Sequence, residues 1–151
     1  IDITTMMRAI VLLADSAQVD PSKKVHALGL GWSVTTTPTP PATLVVLLKV
    51  PWSETNVRHD VSLHLVDADG HPVMVSGPED EPRPLVVSAS FEVGRPAGTP
   101  AGTPVDEAFA VNLGAGLTLN AGQSYEWQLE IDGQRDAAWV ASFHVRSPRS
   151  A

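Results

Sequence analysis

Hydrophobic residues recur at every second position in short segments of this chain, and no segment keeps a helical period beyond one or two turns. A period of two is the geometry of a strand, whose side chains alternate between the faces of a sheet. Four segments alternate cleanly. Between residues 57 and 66, Val57, Val61, Leu63 and Leu65 share one face, with Arg58, Asp60, Ser62 and His64 on the other. Leu85, Val87, Ala89, Phe91 and Val93 oppose Ser88, Ser90 and Glu92. Tyr125, Trp127, Leu129 and Ile131 oppose Glu126, Gln128 and Glu130, and Trp139, Ala141, Phe143 and Val145 oppose Ser142 and His144. One apolar and one wet face per strand is the pattern of an antiparallel sheet packed on one side only.

Adding residues 5–14, 25–34, 42–50, 72–76 and 105–113 gives about nine expected strands, divided by clusters of Pro, Gly, Asp and Asn. The expectation is an all-β, two-sheet antiparallel sandwich with an immunoglobulin-like or fibronectin-type Greek key. Asp67-Ala68-Asp69-Gly70 and Ile131-Asp132-Gly133 are its hairpin turns, since Gly adopts positive φ without steric cost. Leu119, six residues before Tyr125 with Gly122 between them, has the spacing of a tyrosine corner, in which the phenol bonds back to the turn backbone. Two proline-rich loops, residues 35–41 and 94–104, are expected to run as extended crossovers between the sheets. The 151 residues form one expected domain, flanked by residues 1–5, which precede Met6 and Met7, and by the tail 147–151.

Composition narrows the partners. With 43% hydrophobic and 18% charged residues the chain can bury a core and stays clear of the disordered regime. Its net charge of -7 comes with scattered basic residues, which argues against nucleic acid and anionic membrane surfaces as partners. The apolar run from Ala9 to Ala14 follows a single Arg8 and ends at Asp15, too short for a membrane span and without a cleavage site. A cytoplasmic protein is expected. The chain has no cysteine, hence no disulfide, thiolate nucleophile or Cys-based zinc site.

Chemistry-bearing patterns are weak throughout. His26, His59, His64, His71 and His144 show no paired metal spacing, and in a strand His59 and His64 point to opposite faces. Asp67-x-Asp69-Gly70 matches the opening of a calcium loop, yet position 71 is His and 78 is Pro, so turn chemistry is the better reading. Gly29-x-Gly31 lacks the third glycine and the helix of a dinucleotide loop, and there is no nucleophile elbow or phosphate loop. Glu79-Asp80-Glu81 lies between prolines in a solvated loop. No catalytic residue, cofactor or metal is expected.

The series "VLLADSAQV", "KVHALGLGWSV", "VPWSETN", "LVDADGHPV", "FEVGRP" and "YEWQLEIDG" resembles an uncharacterised family of small bacterial proteins over residues 7–146. The resemblance implies no activity, cofactor or catalytic residue. Leu30 interrupts the three successive glycines that precede the tryptophan in that family, so a role needing a bare triple-glycine backbone does not carry over.

If residues 25–34 form one strand, Leu28, Leu30, Trp32 and Val34 face the core, and Ala27, Gly29, Gly31 and Ser33 leave a bare strip that a second backbone or a flat ring can approach. Two other strands are apolar on both sides. Behind the core set Leu44, Val46, Leu48 and Val50 stand Val45 and Leu47, and behind Ala9, Val11 and Leu13 stand Ile10 and Leu12. An interface built from Ile10, Leu12, Gly29, Gly31, Val45 and Leu47 follows, making a homodimer or a protein partner the expected assembly. Cover by the loop 35–41 is the rival account. The leading functional expectation is a non-enzymatic structural or interaction module. The alternatives are a module binding glycans or small molecules through Trp52 or Trp139, and an enzyme whose site the fold assembles.

Overall fold

The computed structural model describes residues 6–148; the expected flank 1–5 and residues 149–151 of the expected tail 147–151 lie outside them. The described chain is all-β, with twelve strands and two single 3₁₀ turns, Trp52–Glu54 and Pro78–Asp80. The strands are β1 (Arg8–Ala14), β2 (Ser16–Val19), β3 (Val25–Leu28), β4 (Val34–Thr35), β5 (Ala42–Val50), β6 (Arg58–Asp67), β7 (Met74–Ser76), β8 (Pro82–Pro84), β9 (Val86–Glu92), β10 (Val105–Leu113), β11 (Ser124–Ile131) and β12 (Gln134–Val145). They make four sheets instead of the expected two: β1-β5-β10, β4-β12-β11-β6-β9, and the hairpins β2-β3 and β7-β8. The five-stranded sheet is mixed, because β4 runs parallel to β12. Between the two larger sheets the chain crosses at residues 36–41, 51–57, 93–104 and 114–123.

Both larger sheets turn their apolar faces toward one core. Val11, Leu13, Leu44, Val46, Leu48, Val50 and Val105 come from the three-stranded sheet, and Val61, Leu63, Leu65, Trp127, Leu129, Ile131, Trp139, Phe143 and Val145 from the five-stranded one. The alternation read from β6, β11 and β12 holds from Val61 onward, with Trp139 buried in this core, whereas Val57, expected on the inner face, precedes β6 and is exposed. Strand β12 begins five residues before the expected start, because its first turn of sequence, Gln134 to Ala138, is exposed and carries no apolar alternation.

Residues 25–34 do not form one strand. Strand β3 stops at Leu28, and Gly29 and Gly31 have φ of 64° and 89°, a left-handed conformation that ends the ladder. Leu28 and Leu30 are accordingly exposed, at 72% and 52%, whereas Val25 and Ala27 on the other parity are half-buried. Trp32 remains against the core, edge-on to Phe143 at 5.8 Å between centroids.

The proline loops cross between the sheets as expected but are not both extended. In the tandem Ala-Gly-Thr-Pro segment the amide of Thr99 donates to the carbonyl of Pro96 at 3.1 Å, and that of Thr103 to Pro100 at 3.2 Å. Gly98 and Gly102, at φ of 83° and 84°, occupy the third position of these two successive turns, which requires positive φ. The loop 35–41 is pinned elsewhere: Thr39 N–H donates to the Leu117 carbonyl at 2.9 Å, and Leu119 N–H to Thr37 Oγ1 at 3.0 Å.

The turn chemistry holds. Asp132 and Gly133, with φ of 50° and 78°, are the two left-handed residues of the β11–β12 hairpin. Asp67 Oδ1 accepts from the amides of Asp69 and His71 at 3.0 and 2.9 Å, shaping the other turn. The corner is present as well: the Asn120 amide donates to the Tyr125 hydroxyl at 2.9 Å. Tyr125→Phe removes that acceptor and is expected to lower unfolding free energy by about 0.5 to 1.5 kcal/mol, read as a lower denaturant midpoint at unchanged slope. An unchanged midpoint contradicts the corner.

Candidate functional site

The expected interface residues do not form one exposed patch. Strand β1 ends at Ala14, and one residue later β2 starts back across the outer face of the three-stranded sheet, packing against β5 and β10. Cross-strand pairing aligns Ala17 with Ala27 and Val19 with Val25, so the β2-β3 hairpin has a small apolar face, all of it half-buried. That face covers Val45, which is 1% exposed, and leaves Leu12 and Leu47 half-buried. Of the four apolar side chains only Ile10, at 54%, stands in solvent; Gly29 and Gly31 are exposed as well, in the link after the hairpin and not on this face. The hairpin, not the loop 35–41, provides the cover.

Gly29 and Gly31 belong to the same device. The Gly31 amide donates to the Leu13 carbonyl at 2.6 Å, and the Asp15 amide to that of Leu28 at 2.9 Å, seating the end of the hairpin on β1. A Cβ at Gly29 would collide with the Asp15 side chain. At the opposite end Asp20 closes the hairpin: its Oδ1 accepts from Ser22 N and Ser22 Oγ at 2.8 and 2.7 Å, and from Lys24 N at 3.0 Å. The Ser22 hydroxyl first, then the His26 ring 2.8 Å from Oδ2, and the Lys24 amide hold the Asp20 carboxyl far below the usual carboxylate range.

Lys23, also in that turn, reaches Glu107 on β10 at 3.0 Å. Glu107 pairs across to Leu48 and is buried, and its carboxylate also accepts the Ala108 amide at 2.9 Å. Strand β10 is an edge, and these contacts occupy one of its outward amides with a charge that repels an incoming strand.

The tryptophans proposed for glycan stacking are engaged by the fold. Trp139 is 8% exposed in the core. Over the Trp52 ring lies the Arg95 guanidinium, 3.7 Å from the centroid, held by Nη2 to the Trp52 carbonyl at 2.9 Å and Nε to Thr55 Oγ1 at 2.7 Å.

Strand pairing also assembles groups that sequence spacing keeps apart. On the wet face of the five-stranded sheet, Ser62 Oγ lies 2.8 Å from His64 Nε2 and 3.4 Å from Glu130 Oε2. Serine and carboxylate thus address the same ring nitrogen, 3.8 Å separating His64 Nε2 from Glu130, whereas a relay needs them on opposite nitrogens. Backbone amides around them serve the β6–β11 and β11–β12 ladders. Arg135 holds Glu130 with Nε at 3.0 Å, lowering the carboxyl below its usual range. Partial burial, then the nearby Arg135 charge, lowers His64, which favours neutral imidazole. This is a polar lattice across three strands. Asp67, Asp69 and His71 gather potential ligand atoms on an exposed turn, where Asp67 already serves the backbone.

His59, which parity on β6 places on the inner face, is the one buried imidazole among the described residues. Its Nε2 bonds the Glu54 carbonyl at 2.7 Å and its Nδ1 the Asp132 carboxylate at 2.6 Å, with Phe91 packed 5.1 Å away. Burial pulls its pKa down, but the Glu54 carbonyl and the Asp132 carboxylate outweigh it, and the net shift is upward. Two acceptors suit an imidazolium, which donates from both nitrogens.

Two expectations follow. Val45→Asp places a carboxylate under the hairpin and should cost about 3 kcal/mol or more of stability by chemical denaturation; a folded, equally stable variant contradicts the buried arrangement. Because the folded His59 pKa is raised, its stabilisation is complete below the unfolded value and is lost as pH rises through the folded one, across the neutral range. The wild type should therefore lose stability over that range, and Asp132→Asn should flatten the slope; equal slopes contradict the pairing.

A family model described as "Family of unknown function (DUF6941)" matches residues 9–146, the stretch over which the motif series runs. No curated protein matches the chain, and neither does any solved structure.

Proposed function

We propose that this chain, which belongs to the family of unknown function DUF6941, is a non-enzymatic interaction module that self-associates by pairing its β9 edge with that of a second copy. The observation that carries this reading is the difference between β9 and the other sheet edges. Strand β10 is guarded by the buried Glu107 and the Lys23 it binds. On β1 the Leu13 carbonyl is taken by Gly31, and β4 is only two residues long. Strand β9, Val86-Val87-Ser88-Ala89-Ser90-Phe91-Glu92, closes the five-stranded sheet with no proline, no lysine or arginine and a single carboxylate at its last position. A row of free amides and carbonyls of that length is a template for strand addition.

A two-fold axis through Ala89 suits the sequence. Antiparallel pairing about it sets Ser88 against Ser90 and Val86 against Glu92 of the other copy, so no like charges meet. Two five-stranded sheets then continue as one.

The finer fold reading supports this role. An immunoglobulin-like Greek key is favoured by the strand orders β1-β5-β10 and β4-β12-β11-β6-β9, by parallel pairing of β4 with β12, and by the Tyr125 corner. That architecture hosts binding more often than catalysis through its edges and loops.

The test is Ser88→Lys with Ser90→Lys. Both side chains are exposed, Ser90 lies across from Asp60, and the added charges face their own copies in the pair. Light scattering should find the wild type as a dimer at micromolar concentration and the variant as a folded monomer. A monomeric wild type, or a variant that still dimerises, overturns the proposal.

A further inference from the structure

We infer that the second copy also finishes the hydrophobic core: the side left open between β9 and β10 is a docking surface for the same side of the other copy, and in the pair two cores become one. This rests on the β9 pairing proposed above and extends it from one backbone edge to side chains of the facing sheet.

Burial stops at the same side in both larger sheets. On the inner face of β6, His59, Val61 and Leu63 are buried, yet of their register partners on β9, Phe91 and Val87 are half-buried and Ala89 is exposed. Across the core, Leu44 and Val46 of β5 are buried, whereas Val111 and Phe109, their partners on β10, are half-buried, as is Leu113. The rings of Phe91 and Phe109 stand 6.3 Å apart, and Val87 and Leu113 border one cavity. Ala89 therefore lies over Val111, and the two edges together present a continuous apolar strip. An apolar strip along a whole side of a small domain marks a surface that meets a partner.

Symmetry selects the partner. A two-fold axis through Ala89, perpendicular to the sheet, keeps the inner faces of both copies on the same side. It sets Val87 against Phe91 of the other copy and Ala89 against its own counterpart, so every inner-face contact across the junction is apolar. The small side chain at the axis leaves room beneath it for Val111 of each copy. Nor does the guard on β10 oppose the contact: Glu107, with the Lys23 it binds, is four residues along the strand from Val111, about 13 Å, and on opposite sides of the axis in the two copies.

The chain has no cysteine, so Val111→Cys supplies a single thiol of nearly the same size. Its alkylation by iodoacetamide, a neutral reagent, is followed at protein concentrations spanning the dimer-to-monomer transition seen by light scattering. The rate should fall with the dimer fraction, by at least about tenfold between monomer and dimer. Val34→Cys, on exposed β4 at the far edge of the five-stranded sheet, should react at one rate throughout. Val111→Asn, checked for fold by circular dichroism, should weaken the dimer about tenfold. A dimer in which the thiol at position 111 stays as reactive as in the monomer overturns the shared core and leaves the β9 pairing standing, as does a folded Val111→Asn variant of unchanged dimer affinity. A wild type that is monomeric at every concentration overturns both.

Discussion

Strand β5 carries apolar residues on both faces, and the rest of the molecule is arranged so that the inner face and the outer face from Thr43 to Val45 are kept from water. Leu44, Val46, Leu48 and Val50 require the five-stranded sheet on one side, and Thr43 and Val45, equally buried, require something on the other. A Val or Leu side chain left wet would forgo about 1.5 to 3 kcal/mol, so the cover is part of the fold. The chain supplies it immediately after β1, by doubling back as the β2-β3 hairpin. The left-handed glycines at its exit, the Asp20 turn at its tip and the Lys23–Glu107 contact all serve that placement. The three-stranded sheet is thus a middle layer.

The five-stranded sheet is organised the opposite way. Its inner face is hydrocarbon and its outer face is a lattice of Ser62, His64, Glu130, Arg135, Gln128 and Glu126 linked across β6, β11 and β12. Exposed pairs of this kind add little stability individually, but opposite charges meeting across strands fix register. His59 does related work inside, where it joins the 3₁₀ turn before β6 to the hairpin turn after β11 through Glu54 and Asp132. Connections that the chain separates by over seventy positions are thereby held by one imidazole and one carboxylate.

What was legible in the sequence was whatever repeats locally. Alternation along Val61 to Leu65 and Tyr125 to Ile131 comes from burial on one face, and the Asp132-Gly133 and Tyr125 signals come from backbone geometry within a few residues. The hairpin escaped because its four apolar residues are small, Ala17, Val19, Val25 and Ala27, and its outer positions include Leu28, which is more hydrophobic than anything on the packed side. Parity read from Leu28 and Leu30 therefore pointed the wrong way, and the double-faced apolarity of β5 looked like an interface when it was a covered layer. Juxtapositions such as Ser62 with Glu130 or Lys23 with Glu107 depend on which strands pair, which no local pattern encodes. Glu107 left one trace: a charged residue on a strand face that is otherwise apolar, Val105, Phe109, Val111 and Leu113.

The tandem Ala-Gly-Thr-Pro crossover gives the connection between β9 and β10 a quantum of length. Each unit is a self-contained turn, closed by its own Thr amide and its own left-handed glycine, and neither touches the core cluster. Gaining or losing four residues there adds or removes one whole turn and leaves the neighbouring unit's bonds intact, while the entropy of closing a surface loop changes only logarithmically with its length. Duplication or slippage in the coding sequence is then tolerated in steps of four and resisted in steps of one, so this crossover can vary in span while the strands on either side keep their register.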